Sequence, residues 1–317
     1  MRLLKSLLLP LTVASVLVAC KGGALNLGST ASDAGGGTSG PIFIRQVFAP
    51  TAPTNGECDY TPDVTQSAES TGIVDVSYPN LANYTPTVLI GNETVAVSTA
   101  SSPVAETSRV IIQGATTRIT DLAGDMSLET MFATMCAGGH GDEAACQTGA
   151  RMASGTIAAP VNPFSTVETA TVEPAQGSDP SYSALSVTII DGQTMQIMRD
   201  YFESALALNA SAAFTTSIQL ITYTQATGIT LGGLAVTSNE FEFPVTFTFG
   251  QLVSNLVQVD GAYCVQASTT VPTTAQTCVY GQDAAAVVSA IEGVPSCGAL
   301  GDAGVLDTDA GEADSGG

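Results

Sequence analysis

Ten residues, Glu240 to Phe249 (EFEFPVTFTF), put Phe241, Phe243, Val245, Phe247 and Phe249 on one side of an extended chain. Glu240, Glu242, Thr246 and Thr248 fall on the other side. Only a β-strand has this period of two, and one apolar face opposite one wet face is the mark of an antiparallel sheet. Pro244 has no N–H to give to a ladder, so this strand belongs at an edge or a bulge.

The same character recurs upstream. Ile73–Tyr78, Thr87–Ile90, Thr94–Ser98, Arg109–Gln113, Thr116–Asp121, Val167–Glu173 and Leu185–Ile190 are rich in β-branched residues, with Pro, Gly and Asn between them. Phe214–Thr224 and Ile229–Val236 add two strands, with Ala226-Thr227-Gly228 as a hairpin turn. Helices are expected at Thr194–Leu208, capped by Thr194, at Asp283–Glu292, and at Leu128–Cys136 after Ser127. Asp191-Gly192 offers a competing hairpin signal, but the stripe of Met195, Met198, Phe202 and Ala205 favours the helix. The expected architecture is mainly β: an antiparallel β-sandwich, one large or two smaller, with one to three short helices. Gly149, Gly155, Pro160 and Pro163 mark a break at 150–165, which divides the fold into 41–150 and 165–297, as domains or as halves of one domain.

The first twenty residues carry an address. Arg2 and Lys5 precede an apolar run, Leu7 to Val18, that fits a signal-peptide core and is too short to span a bilayer. The run ends in Leu17-Val18-Ala19-Cys20, which resembles the lipobox of bacterial lipoprotein precursors. That resemblance implies removal of residues 1–19 and acylation of Cys20, so that a membrane holds the chain through its N-terminal lipid. Losing Arg2 and Lys5 takes the formal charge from −21 to −23. The layout also resembles the cell-surface lipoproteins of some high-GC Gram-negative bacteria, with a Gly/Ser tether at 20–40 and an acidic Asp/Gly/Ala tail at 298–317. Lys21, in place of the Asp associated with inner-membrane retention, then implies sorting to the outer membrane.

Setting Cys20 aside leaves Cys58, Cys136, Cys146, Cys264, Cys278 and Cys297. An even number in an exported chain points to three disulfides. Closeness in sequence favours Cys136–Cys146 and Cys278–Cys297, leaving Cys58 for Cys264; the last two pairings are interchangeable on this argument.

Chemistry is sparse. A chain this acidic repels phosphate backbones, which excludes nucleic acid as a partner. The lone histidine, His140, lies in Cys136-Ala-Gly-Gly-His-Gly-Asp-Glu-Ala-Ala-Cys146. Cys136, His140 and Cys146 with Asp142 or Glu143 could ligate zinc, but oxidation favours the disulfide. There is no Gly-x-Ser-x-Gly elbow, no His-Glu-x-x-His, no Trp and no lysine after Lys21. Gly35, Gly37 and Gly40 satisfy a dinucleotide pattern only within the tether. Asp121 with Asp125 and Glu168 with Glu173 are the carboxylate pairs available for glycoside chemistry. Asp307, Asp309, Glu312 and Asp314 loosely resemble a calcium loop without its register. The expectation is a non-catalytic, lipid-anchored envelope or surface scaffold with no cofactor and no metal, whose ligand is an unspecified protein or glycan. The alternative is an anchored hydrolase using carboxylates or a metal.

Overall fold

The computed structural model describes residues 41–49, 60–78, 82–96, 107–124, 126–138, 142–259, 262–267, 282–283, 291 and 293–298. The first half contributes β1 (Ile42–Phe48), β2 (Ala68–Glu69), β3 (Gly72–Asp75), β4 (Thr87–Asn92) and β5 (Val110–Asp121), then α1 (Leu128–Ala137) and α2 (Glu143–Ala153). The second half contributes β6 (Phe164–Thr166), β7 (Ala170–Val172), β8 (Ser181–Ser186), α3 (Gly192–Leu208) and α4 (Ala210–Thr215). It continues with β9 (Ile218–Thr230), β10 (Ala235–Thr237), β11 (Phe241–Thr248), β12 (Leu256–Val259) and β13 (Ala262–Val265).

These strands make a mainly β, sandwich-like fold. One sheet has the order β2-β1-β4-β8 and is antiparallel throughout. The larger has the order β3-β11-β9-β5-β6, with β7 added to β5 and β10 to β9. Its one parallel pairing is β3 with β11, a departure from the fully antiparallel expectation. Both sheets draw strands from before and after residues 150–165, so that segment is a connection inside one fold.

Alternation explains the core. Ile42, Ile44, Val88 and Ile90 from the smaller sheet share one buried cluster with Ile112, Ile119, Leu220, Phe243, Val245 and Phe247 from the larger. Helix α3 adds Met195, Met198 and Phe202 to the same cluster. A run of aromatic contacts ties helices to strands: Phe132–Tyr201 at 5.5 Å, Tyr201–Phe202 at 5.1 Å, Phe202–Phe249 at 6.2 Å and Phe249–Phe214 at 5.5 Å. Such ring pairs add about 0.5–1.5 kcal/mol each beyond area burial.

Several boundaries differ from expectation, each for a local reason. Four helices occur among the described residues, more than anticipated. Helix α3 forms, but its N-cap is Asp191, whose carboxylate accepts from the Thr194 N–H at 3.2 Å; the Asp-Gly pair starts a helix and makes no hairpin. Asn209 then caps α4, so Phe214 and Thr215 are helical and β9 starts later than expected. Strand β9 runs straight through Ala226-Thr227-Gly228. The hairpin turn comes at Leu231–Leu234, closed by Thr230 N–H to Leu234 O at 2.8 Å. Arg109–Gln113 and Thr116–Asp121 merge into β5, with a register shift between Ile112 and Gly114. Of Thr94–Ser98, Val95 makes only an isolated bridge with Ala175. Pro244 lies one residue before β3 joins β11, in the half of that strand left as an edge, where a missing donor is tolerated.

Cys136 is bonded to Cys146 as expected. Cys264, however, is bonded to Cys297, which corrects both the Cys278–Cys297 and the Cys58–Cys264 pairings. The cause is backbone placement: Val265 donates to Pro295 O at 2.9 Å and bridges Ser296 in parallel, so residue 297 arrives beside β13. Cys58 and Cys278 lie outside the described residues, as does residues 284–290 of the helix expected at Asp283–Glu292. Among the described residues no helix is long and apolar enough to cross a membrane.

Asp75 closes the fold at the end of β3. Its fully buried carboxylate accepts from Ser77 N–H (3.0 Å), Ser77 hydroxyl (2.6 Å), Gly250 N–H (2.8 Å) and Leu252 N–H (2.7 Å). The turn after β3 is thereby tied to the turn after β11. Asp75→Asn turns an NH2 group towards one of these donors, and each stranded donor costs about 1–3 kcal/mol. Urea denaturation of that variant should therefore show a loss of about 1–3 kcal/mol; an unchanged midpoint would refute this role. Non-reducing peptide mapping should recover Cys136 joined to Cys146 and Cys264 joined to Cys297, and a Cys278–Cys297 peptide would contradict the arrangement.

Candidate functional site

Helices α1 and α2 lie on either side of the segment that holds the one histidine of the sequence. Ser127 caps α1, accepting from Thr130 N–H at 3.4 Å, and Asp142 caps α2, accepting from Ala145 N–H at 3.1 Å. The other Asp142 oxygen accepts from the Tyr201 hydroxyl at 2.7 Å. Burial, reinforced by this carboxylate, pushes the Tyr201 phenol well above its usual range, so it stays a donor. On the same side, buried Asp200 pairs with Arg151 and accepts from the Thr148 hydroxyl at 3.2 Å. The zinc arrangement has little left to use. Both sulfurs are joined, both Asp142 oxygens are engaged, and Glu143 accepts from Gln147 at 3.3 Å. His140 lies outside the described residues. No group of three or more His, Cys, Asp or Glu placed to hold a metal occurs among the described residues.

Of the carboxylates singled out by sequence, Asp121, Glu168 and Glu173 each have a partner of their own. Asp121 is buried and accepts from Met126 N–H at 2.9 Å, while Asp125 lies outside the described residues. Glu173 is bound to Arg109 at 2.8 Å on the surface, and Glu168 accepts from Thr188 N–H at 3.4 Å. The acidic tail also lies outside the described residues. Asn92 is fully buried, its amide donating to Ser108 O and Val172 O.

A different cluster does come together, at the edge of both sheets. Gln282 bridges Val74 of β3, and the Asp283 N–H donates to Ile73 O at 2.9 Å, so two late residues continue the sheet beyond β3. The Asp283 carboxylate accepts from Ile73 N–H at 2.7 Å and from the Tyr84 hydroxyl at 2.9 Å. Its backbone is left-handed, at φ 59°, which Asp and Asn tolerate better than most residues. Tyr84 is fully buried, and burial followed by the Asp283 charge raises its phenol far above the normal range. Burial also pushes Asp283 up to about 6, with a further push from Glu69 and opposition from the Ile73 and Tyr84 hydrogen bonds. Glu69, at the end of β2, is itself raised by burial. No spacing rule in the sequence relates residues 69, 84 and 283.

Chemically, the cluster holds a proton more than it offers one. Tyr84 donates only to Asp283, and Asp283 accepts from groups that anchor it to β3. The arrangement is a clasp for the late part of the chain, with the Tyr84–Asp283 hydrogen bond at its centre.

Compared with known proteins, the chain matches no family model, no curated protein and no solved structure.

The clasp has a pH signature. The folded Asp283 carboxyl binds its proton more tightly than a free one, since its value is raised from 3.8 to about 6. That preference stabilises the fold fully below the free value and is lost as pH rises through about 6. Stability should therefore fall between pH 4 and pH 7, by up to about 3 kcal/mol from this group. Asp75, also raised by burial, pulls in the same direction. Asp283→Asn suits the left-handed backbone and should flatten the pH dependence measured by urea denaturation. An equally steep variant would remove Asp283 as its source.

Proposed function

We propose that this chain is a lipid-anchored envelope protein whose body is a non-catalytic scaffold for binding or adhesion. The observation that carries the reading is Leu17-Val18-Ala19-Cys20 after a short apolar run with basic residues before it. Residues 1–19 are removed, Cys20 takes the lipid, and residues 21–40 join it to the fold. Two or more acyl chains anchor a protein stably where one does not. That matters here, because a body of net charge −23 gains nothing from anionic headgroups. Lys21 supports delivery to the outer membrane.

The engagement of buried acids supports the non-catalytic part. Asp75, Asp200 and Asp283 each hold backbone or side-chain donors of their own fold. Loops on a rigid sheet scaffold are then the surface for a protein or glycan ligand. The second reading, a hydrolase using carboxylates, draws on the raised Asp283 beside Glu69. Its weakness is that a general acid has to face substrate, whereas Asp283 faces Ile73 and Tyr84.

Metabolic labelling with palmitate tests the anchor. The wild-type protein should incorporate label and give a mature N-terminus at a lipid-modified Cys20, and Cys20→Ser should incorporate none. A mature, unlipidated chain starting at any other residue would overturn the proposal.

A further inference from the structure

Each arginine described in this acidic body has a visible task except one. Arg109 pairs with Glu173, Arg118 with Glu240 and Arg151 with Asp200. Arg199 donates to Val76 O and Tyr78 O. Arg45 is exposed, has no carboxylate within ion-pair distance among the described residues, and makes its hydrogen bond to Tyr182.

Its placement is specific. Strand β1 pairs with β4 at Ile44↔Ile90 and then at Gln46↔Leu89, so Arg45 is the extra residue of a β-bulge. Bulges re-aim a side chain out of the regular pleat. Phe43 lies opposite Gly91, and Gly91 lies opposite Tyr182, so the three form one row across β1, β4 and β8. Gly91 leaves its position on the middle strand empty, and the Phe43 ring lies where a Cβ would stand. Rings from two non-adjacent strands can therefore meet, at 6.1 Å between centroids and an interplanar angle of 87°. Arg45 reaches across the same gap, its Nη1 donating to the Tyr182 hydroxyl at 3.2 Å and its Cζ 5.8 Å from that ring's centroid. One guanidinium nitrogen is held, and among the described residues the rest of the planar fork has no acceptor.

We propose that Arg45, Phe43 and Tyr182 form a recognition site for a single sugar carboxylate, such as a terminal uronic acid of a glycan. The proposal rests on the binding reading above and assigns it a place and a ligand class. A guanidinium fork fits a carboxylate with two parallel hydrogen bonds, and the half-buried rings beside it offer C–H-bearing sugar faces a small apolar platform. The strongly negative body repels polyanions, which favours a ligand with one charge brought within about 8 Å, the screening length at physiological salt.

Ligand-observed NMR on the full-length chain tests this, with cellobiouronic acid, its methyl ester, cellobiose and an N-acetylated acidic dipeptide as probes. Wild type should bind cellobiouronic acid with a Kd on the order of millimolar, weakening as salt rises. The ester, cellobiose and the dipeptide should bind at least about tenfold more weakly. Arg45→Gln should lose at least about tenfold in affinity with an unchanged Tm, Arg45→Lys should lose less, and Tyr182→Phe should fall between wild type and Arg45→Gln. No saturable binding by wild type, equal binding by the ester or the dipeptide, or unchanged binding by Arg45→Gln would each overturn the proposal. Cell-surface adhesion that survives in Arg45→Gln would sink this site and leave the general binding reading standing.

Discussion

The antiparallel ladder between β5 and β9 is the spine on which everything else hangs. It pairs Val110 with Thr230 at one end and Asp121 with Leu220 at the other. A contact between residues about 100 positions apart carries a large loop-closure cost, met only when many pairs form together. Once it exists, β10 and β11 add to β9 over short sequence distances, and β6 and β7 return to β5 after the α1–α2 excursion. The helical hairpin of α1 and α2 leaves the Asp121 end, and α3 and α4 lead into the other strand. The ladder thus decides where both halves of the chain can go.

Its extremities need different fasteners. At the β3 edge, a parallel strand of four residues has little ladder of its own, and buried carboxylates compensate. Asp75 collects donors from both flanking turns, and Asp283 brings a residue from far along the chain to Ile73 and Tyr84. Burying a carboxylate is costly unless donors surround it. Here the donors are backbone N–H groups and the hydroxyls of Ser77 and Tyr84, so each acid also meets the needs of buried donors. The donors offset burial only in part, which is why both carboxyls hold their protons more tightly than free ones and the fastening weakens as pH rises.

Legibility in the sequence followed from how local each cause is. The β11 strand was readable because its apolar face is made of phenylalanines, and α3 because its stripe runs through several turns. The helix α2 was not readable. Its buried positions are Ala144, Ala145, Thr148 and Met152, too small to stand out in a Gly- and Ala-rich stretch. The Ala226-Thr227-Gly228 turn failed for a tertiary reason. Gly228 is there because the Ile111 backbone passes where a Cβ would be, which is a close strand approach at the β5 register shift. The strand β1 and the hairpin of β12 and β13 went unmarked, and the second disulfide followed a backbone pairing that sequence distance cannot reveal. Of the candidate site residues, Cys136 and Cys146 come together as read; the Glu69–Tyr84–Asp283 cluster needed the fold.

Charge placement gives the fold its one outward-facing asymmetry. With so few cations, each arginine left unpaired forfeits an ion pair that a surrounding excess of acids would readily supply. Exposed pairs are worth only about 0–1 kcal/mol, so stability exerts weak pressure either way. Geometry is more telling. Placing Arg45 beside Tyr182 takes a bulge in β1, a glycine at the facing position of β4 and an aromatic on each flank. Phe43 covering Gly91 accounts for the ring-on-glycine contact as sheet packing alone. It does not account for the bulge that lifts Arg45 out of register, nor for a guanidinium held by one nitrogen with its fork open to solvent. Those two features have a common explanation in an anion that arrives from outside, and in a body this negative such an anion has to be small and singly charged.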